Sequence, residues 1–507
     1  MLKKFLALLL AGIFCLSTLT ACIEDVDSGY EEDDDDEKKE NGTGTDKTTG
    51  TLAESELANG DSYPDEPSGS QFESGDFGGK EFNILHYGDM ATDFHDRYIW
   101  SESFTGDAIG DAVKERNQLV EDKYNVVVTA EECSPAAEAN ARIQAGQVDF
   151  NLIYEWGIRQ TGLALDGMFC DVHELDYVNL DKSYWVPNAV EGYTVADRMF
   201  VFTNMISMNS ISWAGCYFFN KNLMDEYDIT YPYEDIAAGN WTYDVLLDKM
   251  SKAERDVNDD GVMGLEDVYG GIDGENILMG VCDEPMWETV GGEYKVITYT
   301  ESMIAAYNKY KAKCDNVESV DIMEYAYDAD ISKFPSHFIA ARFLYFGEDH
   351  ALFLSGALDM TKEFTEMKSD YGIVPVPVKS AGDDFVTGVD GCAPMFSIPA
   401  SVADPDMTAM VLDYMAYESE RLLLPAYYET VIQNKRVQDT RDFAMLDIIR
   451  DRVRYDWADI YMWSSLNYSS LRSKIFTGSL VPSMIQKYGE QAQQEMDDVI
   501  DTIKSIG

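Results

Sequence analysis

Apolar and polar residues alternate over 81–87 (EFNILHY), and a period of two predicts a β-strand. The period then lengthens. Over 108–124 (AIGDAVKERNQLVEDKY), Ala112, Leu119 and Val120 fall near one face of a helix. The β-branched run 125–129 (NVVVT) predicts a second strand. Residues 136–145 predict a helix that Gly146 ends, and 148–154 (VDFNLIY) a third strand. Strand, helix, strand, helix, strand implies a parallel sheet with helices on its faces. Ligands of such sheets lie beyond the carboxyl ends of the strands. That rule places Tyr87-Gly88-Asp89 and Glu155-Trp156-Gly157 at the mouth of a cleft.

A second α/β run follows. Residues 211–219 (ISWAGCYFF) read as a strand, and Asn220-Lys221-Asn222 open a helix. Residues 241–253 (WTYDVLLDKMSKA) are amphipathic, with Asn240 or Thr242 as the N-cap. Residues 351–358 are apolar, further strands are predicted at 371–378 (YGIVPVPV) and 395–399, and helices at 405–417, 441–453 and 484–503. The chain visits one lobe, leaves it, and returns.

The N-terminus follows neither pattern. Lys3 and Lys4 precede a short apolar run over 5–16, and Leu19-Thr20-Ala21-Cys22 closes it. This constellation resembles the lipobox of bacterial lipoproteins, which implies cleavage of 1–21 and a lipid on Cys22 at the new N-terminus. An anchored rather than membrane-spanning protein is expected, on the outer face of the cytoplasmic membrane. Residues 23–76 hold 19 acidic residues against 3 lysines, among Gly, Ser, Thr and Pro. Such a stretch cannot bury enough apolar surface to fold, so with Cys22 it is read as an acidic disordered tether over 22–76.

Charge narrows the function. With 93 Asp and Glu against 38 Lys and Arg, the 507-residue chain carries a net charge of −55. That surface repels phosphate backbones, so nucleic acid is excluded as a partner. Five histidines argue against a His-rich metal site, and HExxH, GxSxG and GxxxxGK[ST] are absent. Once Cys15 is cleaved and Cys22 lipidated, Cys133, Cys170, Cys216, Cys282, Cys314 and Cys392 remain, and the sequence cannot pair them.

Several blocks together resemble the bacterial extracellular solute-binding proteins, in particular the carbohydrate-type receptors of ABC importers (family 1). They are 106–128 (GDAIGDAVKERNQLVEDKYNVVV), 217–229 (YFFNKNLMDEYDI), 240–270 with its Asp-rich loop, 371–378, 424–430 (LPAYYET) and 445–449 (MLDII). The resemblance implies an α/β, two-lobed periplasmic-binding-protein-like fold (type II) with a hinge and an interlobe cleft. Lobe 1 is expected over 77–205 and 383–432, and lobe 2 over 206–382 and 433–507. It further implies a non-enzymatic, monomeric receptor that closes on a solute and passes it to a membrane permease.

Two sets of residues carry the expected chemistry. Residues 256–267 (DVNDDGVMGLED) fit the spacing of a calcium loop. Asp256, Asn258 and Asp260 would supply side-chain oxygens, Val262 its carbonyl, and Asp267 the closing carboxylate; Ca2+ there would be structural. For the solute, aromatic rings stack on the apolar C–H faces of a sugar while carboxylates and amides bind its hydroxyls. Trp156 leads as the ring at the third strand's end, followed by Trp457 and Trp463. Glu155 and Asp390 are the polar partners, and Asn204, with Thr203, sits at the predicted lobe crossing. A neutral mono- or oligosaccharide is the expected solute. A peptide or polyamine on the same fold, and a surface-anchored carbohydrate hydrolase built on paired carboxylates, stay open as alternatives.

Overall fold

The computed structural model describes residues 72–87 and 98–506, less 265, 273–276, 278–279, 282, 299, 315–318, 321–339, 341, 366, 390, 434–438 and 464–481. Cys22, the tether as far as residue 71, Gly88, Asp89 and Asp390 therefore lie outside the described residues.

The first sheet grows from the predicted βαβαβ run. Strand β1 (Lys80–Tyr87) leads to helix α1 (Ala108–Tyr124), strand β2 (Val126–Cys133), helix α2 (Pro135–Ala145), strand β3 (Leu152–Trp156) and helix α3 (Gly157–Leu165). Asp107 caps α1 by accepting the Gly110 N–H at 2.6 Å, and Asn125 ends it in the left-handed region at φ 48°. Strand β1 pairs in parallel with both β2 and β3. Phe82, Ile84, Leu85, Leu152 and Ile153 are buried between the helical layers.

The chain then crosses through 202–214 to a second sheet. It contains β4 (Gly215–Asn220), helix α4 (Tyr243–Ala253), β5 (Tyr269–Ile272), a hairpin of β6 (Trp287–Val290) and β7 (Glu293–Val296), then β8 (Ser319–Val320), β9 (Ala351–Ala357) and β10 (Tyr371–Pro375). The sheet order is β10-β4-β9-β5-β8, with the hairpin standing apart. Thr242 is the N-cap of α4, accepting from the Val245 N–H at 3.3 Å. Of the run 211–219 only the second half is strand: 209–212 forms one helical turn at the crossing, where Ser and Asn side chains bond their neighbours' backbone.

The return to the first sheet passes β11 (Thr387–Gly388) and enters β12 (Pro394–Ser397), which pairs antiparallel with β3 and completes the order β12-β3-β1-β2. Helix α5 (Pro405–Gln433) follows and packs along α1. It runs well past the predicted end at 417. Pro425 lies inside it, while Leu423, Tyr427 and Val431 stay buried; their burial offsets the lost backbone hydrogen bond. Helix α6 (Thr440–Asp451) packs against β10, β13 (Val453–Arg454) pairs with β11, and α7 (Pro482–Ser505) closes the chain. Among the described residues no helix is long and apolar enough to cross a membrane.

Candidate functional site at the carboxyl edge of the first sheet

Parallel pairing brings the last residues of β1 and β3 to one edge. There the Tyr87 and Trp156 rings stack with centroids 6.2 Å apart and planes 15° from parallel. One helical turn after Glu155 the chain supplies Arg159. Its guanidinium lies 4.0 Å from the Trp156 ring centre and 5.4 Å from that of Tyr87. The same guanidinium stands 3.6 Å from Glu155 Oε1. Such a cation over a partly desolvated ring contributes about 0.5–2 kcal/mol. Trp156 is only 4% exposed. A molecule arriving at this edge therefore meets Arg159, whose side chain is 27% exposed, rather than a bare indole face.

Glu155 is buried, which pushes its carboxyl above the ordinary range; the N–H of Trp156, the charge of Arg159 and the N–H of Ala136 oppose that rise. Gln160 locks the turn from below by donating to the carbonyls of Glu155 and Met395 at 2.7 and 3.0 Å.

Two further segments meet this corner. Gly157 N and Ile158 N donate to the carbonyls of Ala393 and Gly391 at 3.1 and 3.3 Å. Gly391 in turn sits against 459–463: a Cβ there would lie 2.2 Å from the Asp459 carbonyl oxygen and 2.9 Å from the Trp463 ring. Glu155, Trp156 and Trp463 are thus gathered around one corner, together with Gly391, which follows Asp390. Trp463 is half-buried, and its indole N–H has no hydrogen-bond partner among the described residues.

Trp457 and Asn204 lie elsewhere. Trp457 is fully buried, with Trp287 at 5.3 Å and Tyr294 at 5.8 Å, so it packs the β6–β7 hairpin. Asn204 is fully buried in the crossing, where its Oδ1 accepts the Ile206 N–H at 3.0 Å. Its Nδ2 and the Thr203 hydroxyl find no partner among the described residues. Around them the crossing is a buried polar chain. Tyr154 Oη and Ser207 Oγ are 2.7 Å apart, Asn209 also donates to Tyr154 Oη, Ser212 donates to Asn209 at 3.0 Å, and Tyr455 Oη donates to the Ser210 carbonyl at 2.5 Å. This links β3, the crossing and the segment after β13 through groups that hold only in one register.

The candidate calcium loop is closed by its own backbone. Asp256 accepts from Gly261 N at 2.7 Å, Asn258 from Asp260 N at 2.9 Å and Asp260 from Val262 N at 2.8 Å. Asp267, buried, accepts from Val257 N and Gly264 N. Gly261 adopts φ 78°, the sharp turn that position needs. The donor chemistry suits a hard cation. As arranged, the carboxylates face the loop's own N–H groups, and among the described residues no three His, Cys, Asp or Glu side chains gather around one point. A surface cavity of about 400 Å3, lined by His173, Pro187, Glu191, Asp197 and Tyr294 among others, includes none of the predicted residues in its wall.

Comparison with solved structures decides the fold. A cyclo/maltodextrin-binding protein complexed with maltotetraose superposes with a TM-score of 0.52 at 10% identity, covering 82% of this chain and 97% of that one. The fold is that of the type II periplasmic-binding proteins. An ABC substrate-binding protein from Listeria monocytogenes in complex with cycloalternan (TM-score 0.48, 10% identity, 83% and 99% covered) and apo RafE from Streptococcus pneumoniae (0.49, 13%, 84% and 100%) are also similar. No family profile and no curated protein matches the sequence. The two sheets of this chain are joined through the crossing 202–214.

Two parts of the site escape the sequence reading. Arg159 does so although it stands four residues after Glu155, a spacing that signals a pair on one helical face. The hairpin does so although Gly291-Gly292, both at positive φ, sit between two alternating runs, the signature of a two-residue turn.

Proposed function

We propose that the chain is the substrate-binding lipoprotein of an ABC importer, a receptor rather than an enzyme, that captures a neutral mono- or oligosaccharide between its lobes. The supporting observation is the corner at the carboxyl edge of the first sheet. It combines ring surface (Tyr87, Trp463), a guanidinium seated on Trp156 and able to donate to paired hydroxyls (Arg159) and a carboxylate (Glu155), the mixture a sugar requires. The overall negative charge favours neutral or cationic solutes over phosphorylated ones.

Closure follows population-shift logic. Open and closed lobes differ by a few kcal/mol, and a solute that touches both lobes only when they are closed biases that state. Arg159 is positioned by Trp156 and Glu155 before the solute arrives, so little side-chain entropy is lost on binding. Asp390, between Val389 and Gly391, is proposed to reach the same solute. In this reading Cys22 carries the lipid, the acidic segment spaces the body from the membrane, a permease receives the closed form, and the receptor is monomeric. Calcium in the 256–267 loop is proposed on its donor set alone. A rise in thermal midpoint with millimolar calcium, absent in Asp260→Ala, would support it, and identical melting in calcium and chelator would remove it.

The test of the main reading is a thermal-shift screen of the purified body against maltotetraose, mannotriose, glucose, a tripeptide and spermidine, followed by calorimetry. Saturable sugar binding without release of reducing ends supports the proposal. Peptide or polyamine binding would move the solute class, and turnover of an oligosaccharide would favour the hydrolase.

A further inference from the structure

Between the end of β1 and the start of α1 lies an arc fastened at both ends. At its entry the Arg116 guanidinium, fully buried in α1, donates to the carbonyls of Tyr98 and Ile99 at 2.9 and 2.8 Å, and Asn117 Nδ2 adds a bond to Ile99 at 3.3 Å. At its exit Asp111 accepts from Thr105 N at 2.8 Å and from Gly106 N at 3.1 Å. The span between carries Trp100, 43% exposed, and Phe104, 56% exposed, among the most exposed large aromatics in the described residues. Ser101 Oγ donates to the Ser103 carbonyl at 3.2 Å and tightens the turn. Two large rings held in water on a pinned segment are a costly arrangement, since their burial would release roughly 25 cal/mol per Å2.

Chain topology says at which edge the arc lies. Helix α1 runs antiparallel to the strands of its sheet, so its N-terminus and the arc before it lie at the carboxyl edge, where Tyr87 and Trp156 also end. Tyr98 rests against Tyr427 near the end of α5 at 6.4 Å. Arg116 also donates to the carbonyl of Ile206, inside the crossing, at 2.9 Å. The arc is thereby tied to α5 and to the crossing.

We infer that Trp100 and Phe104 form a second aromatic platform for the solute, stacking on the C–H faces of a sugar unit beyond the one held at Arg159 and Trp156, so that they set a preference for oligosaccharides over single sugars. The inference rests on the sugar-receptor reading above. Pinning at both ends pre-orders the platform, so stacking there loses little conformational entropy. The tie to α5 and the crossing makes the platform move with lobe 1 as one body.

The experiment is calorimetry of the natural body, Trp100→Ala/Phe104→Ala and Trp100→Phe with maltotetraose, mannotriose and glucose. For a panel oligosaccharide that the natural chain binds, the double variant is expected to weaken affinity about tenfold or more. Binding of glucose should change less than twofold, the thermal midpoint should hold, and Trp100→Phe should restore most of the affinity. Iodide quenching gives a readout that a packing role would not move: the oligosaccharide should shield a fluorescence component present in the natural body and missing in Trp100→Phe. Oligosaccharide affinity within twofold of natural in the double variant overturns the platform while leaving the receptor reading intact. A natural body that binds no panel sugar overturns both.

Discussion

Replacing Arg116 by Met probes the joint on which the arc, the crossing and α5 converge. The guanidinium is completely buried and makes five hydrogen bonds: to the carbonyls of Tyr98, Ile99 and Ile206, to Ser419 Oγ at 3.2 Å, and to Asn117 Oδ1 at 2.9 Å. Burial draws its pKa down to about 9, so it is still charged at neutral pH. Methionine fills most of the volume but leaves the buried carbonyls of Tyr98 and Ile206 without this donor and that of Ile99 with Asn117 alone. Each such loss costs about 1–3 kcal/mol. Against that, the variant is relieved of burying a charge, worth several kcal/mol. The balance is a destabilisation of about 1–3 kcal/mol. Urea unfolding followed by Trp fluorescence should show a lower midpoint with an unchanged slope. Sugar affinity should fall as well, because the arc and Ile206 lose their common anchor. A loss below about 1 kcal/mol would mean that the five bonds add little over a methionine, and the joint would have to be abandoned as the organiser of the edge.

Three further perturbations follow from the same geometry. Gly391→Ala drives a methyl into the Asp459 carbonyl and the Trp463 ring, so it should cost about 2–4 kcal/mol in unfolding and weaken sugar binding; an unaltered affinity by calorimetry would separate the 391 and 459–463 segments from the site. Burial pushes the Asp439 carboxyl up, but bonds from Arg441 at 2.8 Å and Lys221 at 3.0 Å more than reverse this and hold it well below the ordinary range. Its contribution is therefore complete above the unfolded-state pKa and vanishes as pH falls through the folded one, so Asp439→Asn should lose about 1–3 kcal/mol at pH 7 and flatten the acid limb of the stability curve, as chemical unfolding followed from about pH 6 down to about pH 2 would reveal. Glu155 has the opposite sign: burial raises its carboxyl, so its ionisation subtracts stability as pH climbs from the ordinary carboxylate range through the raised value. Glu155→Gln should remove that decline in melting temperature while weakening sugar binding, and a decline of the same size in the variant would assign it to another group.

Legibility in the sequence varied with how local the determinants are. The β1–α1–β2–α2–β3 run shows through because the amphipathic periods and the helix stop at Gly146 are near-neighbour effects. The antiparallel entry of β12 does not, since its partner β3 is more than two hundred residues away and pairing direction leaves no mark on four apolar residues. Helix α5 outran its expected end because burial of Leu423, Tyr427 and Val431 against the rest of the lobe overrides a proline that sequence alone reads as a stop. At the site, Glu155 and Trp156 were placed by strand-end logic. Their covering by Arg159 and Tyr87 depends on side-chain rotamers, which no period encodes. Trp457 shows the converse: a tryptophan in a segment expected to line the cleft fills the base of a hairpin, because Trp287 and Tyr294 converge on it from far along the chain.

Small-angle scattering of the purified body with and without a saturating sugar tests the central claim most directly. Two lobes on a hinge that shut around the solute predict a smaller radius of gyration and a shorter maximum dimension in the sugar-bound sample, with molecular mass unchanged. Identical scattering profiles, under conditions where calorimetry shows the sugar to be bound, would contradict closure.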